Sequence, residues 1–128
     1  MNQQEFFIKW KNKYPKSFKK FRLNYFKRDG VKNVNPYIKN DISLFSNGTT
    51  FHFPPLEYFS GIIESFFENN NIICLAIVSQ NCWNGFVNIF NNNFNDVRNF
   101  SISFITKQEA QISAYLKAAE IMEKELNK

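Results

Sequence analysis

The chain has 128 residues, 44% of them hydrophobic and 18% aromatic, with 16 phenylalanines and a formal net charge of +5. That length suits one buried core and not two, its aromatic content excludes a disordered chain, and no run approaches the roughly 20 apolar residues that span a bilayer. Residues 1–39 hold 11 Lys and Arg against Glu5 and Asp29, a net +9, while residues 40–128 hold 5 against 9 acids, a net −4.

At the start, Met1-Asn2-Gln3-Gln4-Glu5 lacks the basic n-region and the small-residue cleavage site of a secretion signal, so an intracellular location is expected. Asn2-x-x-Glu5 resembles a capping box, and Phe6, Phe7 and Trp10 follow as an apolar stripe. The spacing predicts a helix over about 3–13, which Pro15 ends. Residues 16–28 fit two patterns. Phe18, Phe21 and Tyr25 have helical spacing, whereas Phe21-Arg22-Leu23-Asn24-Tyr25 alternates like a strand ahead of an Asp29-Gly30 turn. We take the helix.

Residues 41–46 and 49–53 flank Asn47-Gly48, whose tolerance of positive φ makes it a strong hairpin signal. Pro54-Pro55 opens a helix with Leu56, Phe59, Ile62, Ile63, Phe66 and Phe67 on its apolar face, and the asparagines at 69–71 close it. The β-branched run 72–78 reads as a central strand. Residues 81–85 form a turn into a partner strand at 86–90, and 100–104 alternates as a further strand. A last helix over about 107–126 places Ile112, Leu116, Ala119, Met122 and Leu126 on one face. The expected fold class is α+β. A small antiparallel sheet of about five strands is covered by helices in a single domain over 1–128, with 1–39 as a basic helical segment and 40–128 as the α+β core.

Chemistry is harder to find. His52 is the only histidine, and with no cysteine or acidic cluster beside it in sequence it reads as structural. Cys74 and Cys82 stand in a C-x7-C spacing that matches no zinc pattern, and Cys74 reads as a buried, reduced thiol. Glu57, Glu64 and Glu68 lie opposite an apolar stripe, as a solvated face should; Glu120, Glu123 and Glu125 read the same way, partly paired with Lys117 and Lys124. No phosphate loop or hydrolase motif is present, so no catalytic residue, metal ligand, cofactor or small-molecule substrate is expected.

What remains is a basic segment interleaved with aromatics. Rings stack on unpaired bases while lysines follow a phosphate backbone, and lysines can equally dock on an acidic protein groove. The candidate partner-binding or nucleic-acid-binding residues are Lys9, Trp10, Lys11, Lys13, Lys16, Lys19, Lys20, Arg22, Lys27 and Arg28. A plainer reading places these aromatics on the inner faces of two helices, with the lysines outside. On the functional reading, residues from about 40 onward are a self-sufficient scaffold, and deleting 1–39 abolishes binding more readily than folding.

From about 53 to 122 the pattern resembles the phage ABA-sandwich domain of small phage proteins. The features that carry it are the helix at 56–69, the strands at 72–79, 86–90 and 100–106, and the Ala-rich closing helix Glu109-Ala110-Gln111-Ile112-Ser113-Ala114-Tyr115-Leu116-Lys117-Ala118-Ala119-Glu120. It covers a little over half the chain, and residues 1–39 have no counterpart in it. The resemblance implies a phage or mobile-element accessory protein in a bacterial cytoplasm. Proteins of that origin commonly act by binding host machinery, and inhibitors of CRISPR effectors are a prominent group. The expected function is therefore a non-enzymatic inhibitor that binds a host defence protein, a CRISPR effector ribonucleoprotein or its guide RNA, with no membrane partner. The alternative is a stand-alone single-stranded nucleic-acid-binding protein.

Overall fold

Phe6, Phe7 and Trp10 fall on one side of an 11-residue helix, and the rings they present decide how the N-terminal quarter of the protein folds. The computed structural model describes residues 3–28, 56–89, 100–104 and 106–128. Four helices and three strands lie among them: α1 (Gln3–Lys13), α2 (Pro15–Arg28), α3 (Leu56–Glu68), β1 (Ile72–Ser79), β2 (Cys82–Ile89), β3 (Phe100–Phe104) and α4 (Lys107–Leu126).

Only Tyr14 separates α1 from α2. Its N–H donates to the Trp10 carbonyl at 2.8 Å and its own carbonyl accepts from Phe18 at 3.0 Å, so one residue closes the first helix and begins the second. Pro15 does more than end α1. It opens α2 at the first helical position, where its missing N–H removes no bond. Residues 16–28 are thus helical throughout and the strand reading fails. Phe18 and Phe21 turn inward from α2 to meet the rings of α1.

Helix α3 buries Phe59, Ile63, Phe66 and Phe67 and ends as the asparagines predict. Asn71 takes φ 66°, a left-handed conformation that asparagine tolerates, and the chain turns from it straight into β1. β1 and β2 pair antiparallel from Ile72↔Ile89 to Ser79↔Cys82, joined by Gln80-Asn81 with Gln80 at φ 53°. β3 adds to β2 from Trp83↔Phe104 to Val87↔Phe100, giving the order β1-β2-β3.

Several expectations change here. Among the described residues the sheet has three strands, with β2 and not β1 in the middle. The two further strands expected at 41–46 and 49–53, like His52, lie outside the described residues. β2 begins at Cys82, so most of the expected turn at 81–85 is strand. Gly85 suggested that turn, but its physical reason is different. A Cβ there would stand 2.8 Å from the Ala110 carbonyl oxygen and 3.6 Å from the Ala114 Cβ, so glycine lets α4 approach the middle strand closely.

Helix α4 starts on the Thr106 side chain, which accepts from the Glu109 N–H, and its burial runs round most of its circumference. Ala110 and Ala114 lie over the sheet, while Tyr115, Met122 and Glu123 are also covered, so the single apolar face expected of it is too narrow. Leu126, placed on that face, is exposed. The architecture is layered: the sheet, then α3 and α4 on one of its faces, then α1 and α2 packed on those two helices. The rings of α1 and α2 belong to the same core cluster as the buried side chains of α3, β1, β2 and α4, so the N-terminal helices share the core of the elements that follow.

Candidate interaction surface

Trp10 was expected at an interface, and it is the centre of the core. It is 0% exposed, stacked between Phe21 at 4.8 Å and Phe67 at 5.6 Å between ring centroids, each with an interplanar angle of 23°. Its Nε1–H donates to the Ser17 hydroxyl at 2.7 Å, and that hydroxyl donates to the Tyr14 carbonyl at 3.1 Å. A buried indole needs such a partner, and α2 supplies it. Arg22, at 4% exposure, is also buried. Both residues are removed from the candidate contact set.

The lysines behave differently. Lys13, Lys16, Lys19 and Lys20 are exposed, and Lys9 and Lys11 are partly so. Lys16 Nζ donates to the Asn127 side-chain oxygen beyond the end of α4, and Lys20 Nζ donates at 2.8 Å to Asn70 Oδ1 beyond the end of α3. α2 therefore runs with its cations over the C-terminal ends of two other helices, where the helix dipoles favour positive charge. Lys27 and Arg28 sit in the last turn of α2, and their side chains lie outside the described residues.

One acid tethers this basic hairpin. Glu123, expected in solvent, is 8% exposed. Its carboxylate accepts from the backbone N–H of Lys16 at 3.2 Å and of Ser17 at 2.8 Å. These donors follow Pro15 at the start of α2 and have no partner within the helix, so Glu123 acts as an N-cap delivered from a distant part of the chain.

Between α1, α4 and the end of β3 lies an open groove of about 500 Å³. Ile112, Leu116 and Phe104 line it, Lys9, Lys13 and Tyr14 come from the α1 side, and Glu109, Lys117 and Glu120 from α4. Burial followed by the nearby Glu120 charge raises the Tyr14 phenol above its ordinary value of 10.0, so it stays a hydrogen-bond donor at neutral pH. Burial alone would raise Glu120, but hydrogen bonds and charge from Lys117 and then Lys124 outweigh it and hold the carboxyl below its ordinary 4.5. Both lysines lie 3.3 Å from it. Of the groove only Lys9 and Lys13 stand among the candidate contact residues of the sequence, while Ile112, Leu116, Lys117 and Glu120 read there as the apolar and solvated faces of a helix.

A second ionisable cluster lies under α3 and α4. The Tyr115 hydroxyl donates to Glu64, and the fully covered phenol is pushed up, first by burial and then by that bond. The Cys74 thiol nearby is raised well above 9.0 by burial and then by the Glu64 charge, in keeping with the buried, reduced cysteine expected. Among the described residues no group of three or more His, Cys, Asp or Glu is placed to hold a metal ion, and no helix is long and apolar enough to cross a membrane.

No family model matches this chain, and neither the curated proteins nor the solved structures give a match.

Proposed function

We propose that this chain is a non-enzymatic inhibitor of phage or mobile-element origin that acts by binding a host CRISPR effector at its guide-RNA region. One observation carries the binding reading: α1 and α2 turn their rings inward and their lysines outward, concentrating exposed positive charge on one helical hairpin. Ammonium groups presented this way neutralise phosphates without reading bases. The origin comes from the phage-like pattern of residues 53–122 and is an inference from resemblance.

The groove's carboxylates favour binding over catalysis. Glu120 is kept ionised by two lysines, which makes it a poor proton donor, and Glu109 is engaged with Thr106 at the start of α4. Stand-alone single-stranded nucleic-acid binding is disfavoured by a specific feature. That mode stacks bases on exposed rings, and among the described residues of α1 and α2 the rings of Trp10, Phe18 and Phe21 are buried, with Tyr14 half-buried.

The test is DNA cleavage by purified, guide-loaded effectors of several types, with and without this protein. Inhibition should appear at stoichiometric concentration and weaken steeply with salt. It should be relieved by the triple variant Lys16→Glu/Lys19→Glu/Lys20→Glu. Cleavage that is unchanged for every effector type at low salt would remove the reading. High affinity for free single-stranded RNA without any effect on an effector would instead favour the stand-alone binder.

A further inference from the structure

We infer that the groove between α1 and α4 receives an acidic, amphipathic helix from a partner protein. This rests on the reading that the chain acts by binding a protein, and it adds the chemistry of that partner's docking element. The floor is apolar, formed by Ile112, Leu116 and Phe104. The charges around it are not equally available. Glu120 is paired with Lys117 and Lys124, and Glu109 with Thr106, whereas Lys9 and Lys13 make no ion pair among the described residues.

The lining carries Lys9, Lys13 and Lys117 against Glu109 and Glu120, and the two lysines with no ion pair among the described residues sit on the α1 wall. Lys9 and Lys13 are one helical turn apart, roughly 6 Å along the axis. Acidic side chains at i,i+4 on a facing helix repeat at the same interval. Such a helix would set its acids against Lys9 and Lys13 and its apolar stripe on Leu116 and Ile112, the helix-in-groove mode of recognition. The Tyr14 hydroxyl, protonated at neutral pH, adds a donor on the same wall. A nucleic-acid strand fits less well, since it would leave the aliphatic floor uncovered.

The probe is a synthetic helical peptide carrying glutamate pairs at i,i+4 beside a leucine stripe, titrated into the full-length, isotopically labelled protein. Amide shifts should concentrate on residues 9–14 and 109–120. Lys9→Glu/Lys13→Glu should weaken binding by about tenfold or more, through loss of charge complementarity. Leu116→Ala should weaken it independently through the floor. Circular dichroism would confirm that every variant is folded.

Absent binding, shifts centred elsewhere, or equal affinity for a peptide with lysine in place of glutamate would each overturn the inference. So would a single-stranded oligonucleotide that gives the same groove shifts at lower concentration. The two readings fail separately. Peptide binding without effector inhibition removes the proposed function and leaves the groove standing. Inhibition relieved by the α2 charge reversals, with no peptide binding, does the reverse.

Discussion

Helix α4 meets the sheet through alanines pressed against a glycine, and it meets the N-terminal helices through the Tyr115 ring beside Phe6 and the Glu123 carboxylate at the start of α2. On the sheet side the fit depends on the absence of side-chain volume. On the helical side it depends on large rings filling space, and on one acid supplying the hydrogen bonds that α2 lacks. The same 20-residue helix thus joins two sides of one core with opposite requirements. The basic hairpin is therefore a wall of the fold as well as a charged surface.

Substitutions on each side should separate these requirements. The largest effect is expected from Trp10→Ala, which removes the ring stacked on Phe21 and Phe67 and the indole donor to the Ser17 hydroxyl. A loss of about 3–5 kcal/mol in chemical denaturation is expected for deleting such a buried aromatic. A loss below 1 kcal/mol would mean that the hairpin does not complete the core. Gly85→Ala is next. The added methyl would meet the Ala110 carbonyl oxygen, and over-packing of this kind costs about 1–3 kcal/mol. Pairing it with Trp10→Ala tests whether the two sides of the core are independent, in which case the losses should add.

Glu123→Gln keeps the shape of the cap but removes its charge, and should cost about 1 kcal/mol at neutral pH by thermal melting. Amide exchange at Lys16 and Ser17 should quicken selectively. Alkaline pH acts where β1, α3 and α4 meet. Cys74 and Tyr115 have folded values raised above their ordinary 9.0 and 10.0, chiefly by burial. Their stabilising contribution is fully present below those unfolded values and is lost as pH rises through the folded ones. Stability should therefore hold through neutral pH and decline above the ordinary thiol value, and Cys74 should resist alkylation at pH 8 until the protein unfolds. A Cys74 that reacts freely in the native state at that pH would contradict its buried position. The smallest effect belongs to Lys19→Glu, an exposed residue, which should stay within about 0.5 kcal/mol while weakening any polyanion contact.

Much of the fold is legible from periodicity. The positions of α1, α3, β1, β3 and α4 follow from apolar spacing and from punctuation by proline and asparagine, because those signals are local. The misreadings share a different cause. Helical spacing puts Phe6, Phe7, Trp10, Phe18 and Phe21 on common faces, but it cannot say whether such a face looks at a partner or at the protein's own core. Gly85 reads as a turn residue because the Ala110 backbone that needs it is 25 positions away. Glu123 reads as solvated because its donors, Lys16 and Ser17, lie 107 and 106 positions away. For the candidate site, the outward lysines of α1 and α2 were visible in the sequence, whereas the groove was not. It exists only where α1 crosses α4.

The Glu123 cap also bears on how the protein comes to be folded. During synthesis α1 and α2 emerge before α4, carrying concentrated positive charge and uncovered rings, and the acid that satisfies the start of α2 follows Ser17 by 106 positions. Their docking must wait for α4, and contacts of such long sequence separation are slow to form. Until then, the segment that most attracts polyanions is also the one most in need of shelter.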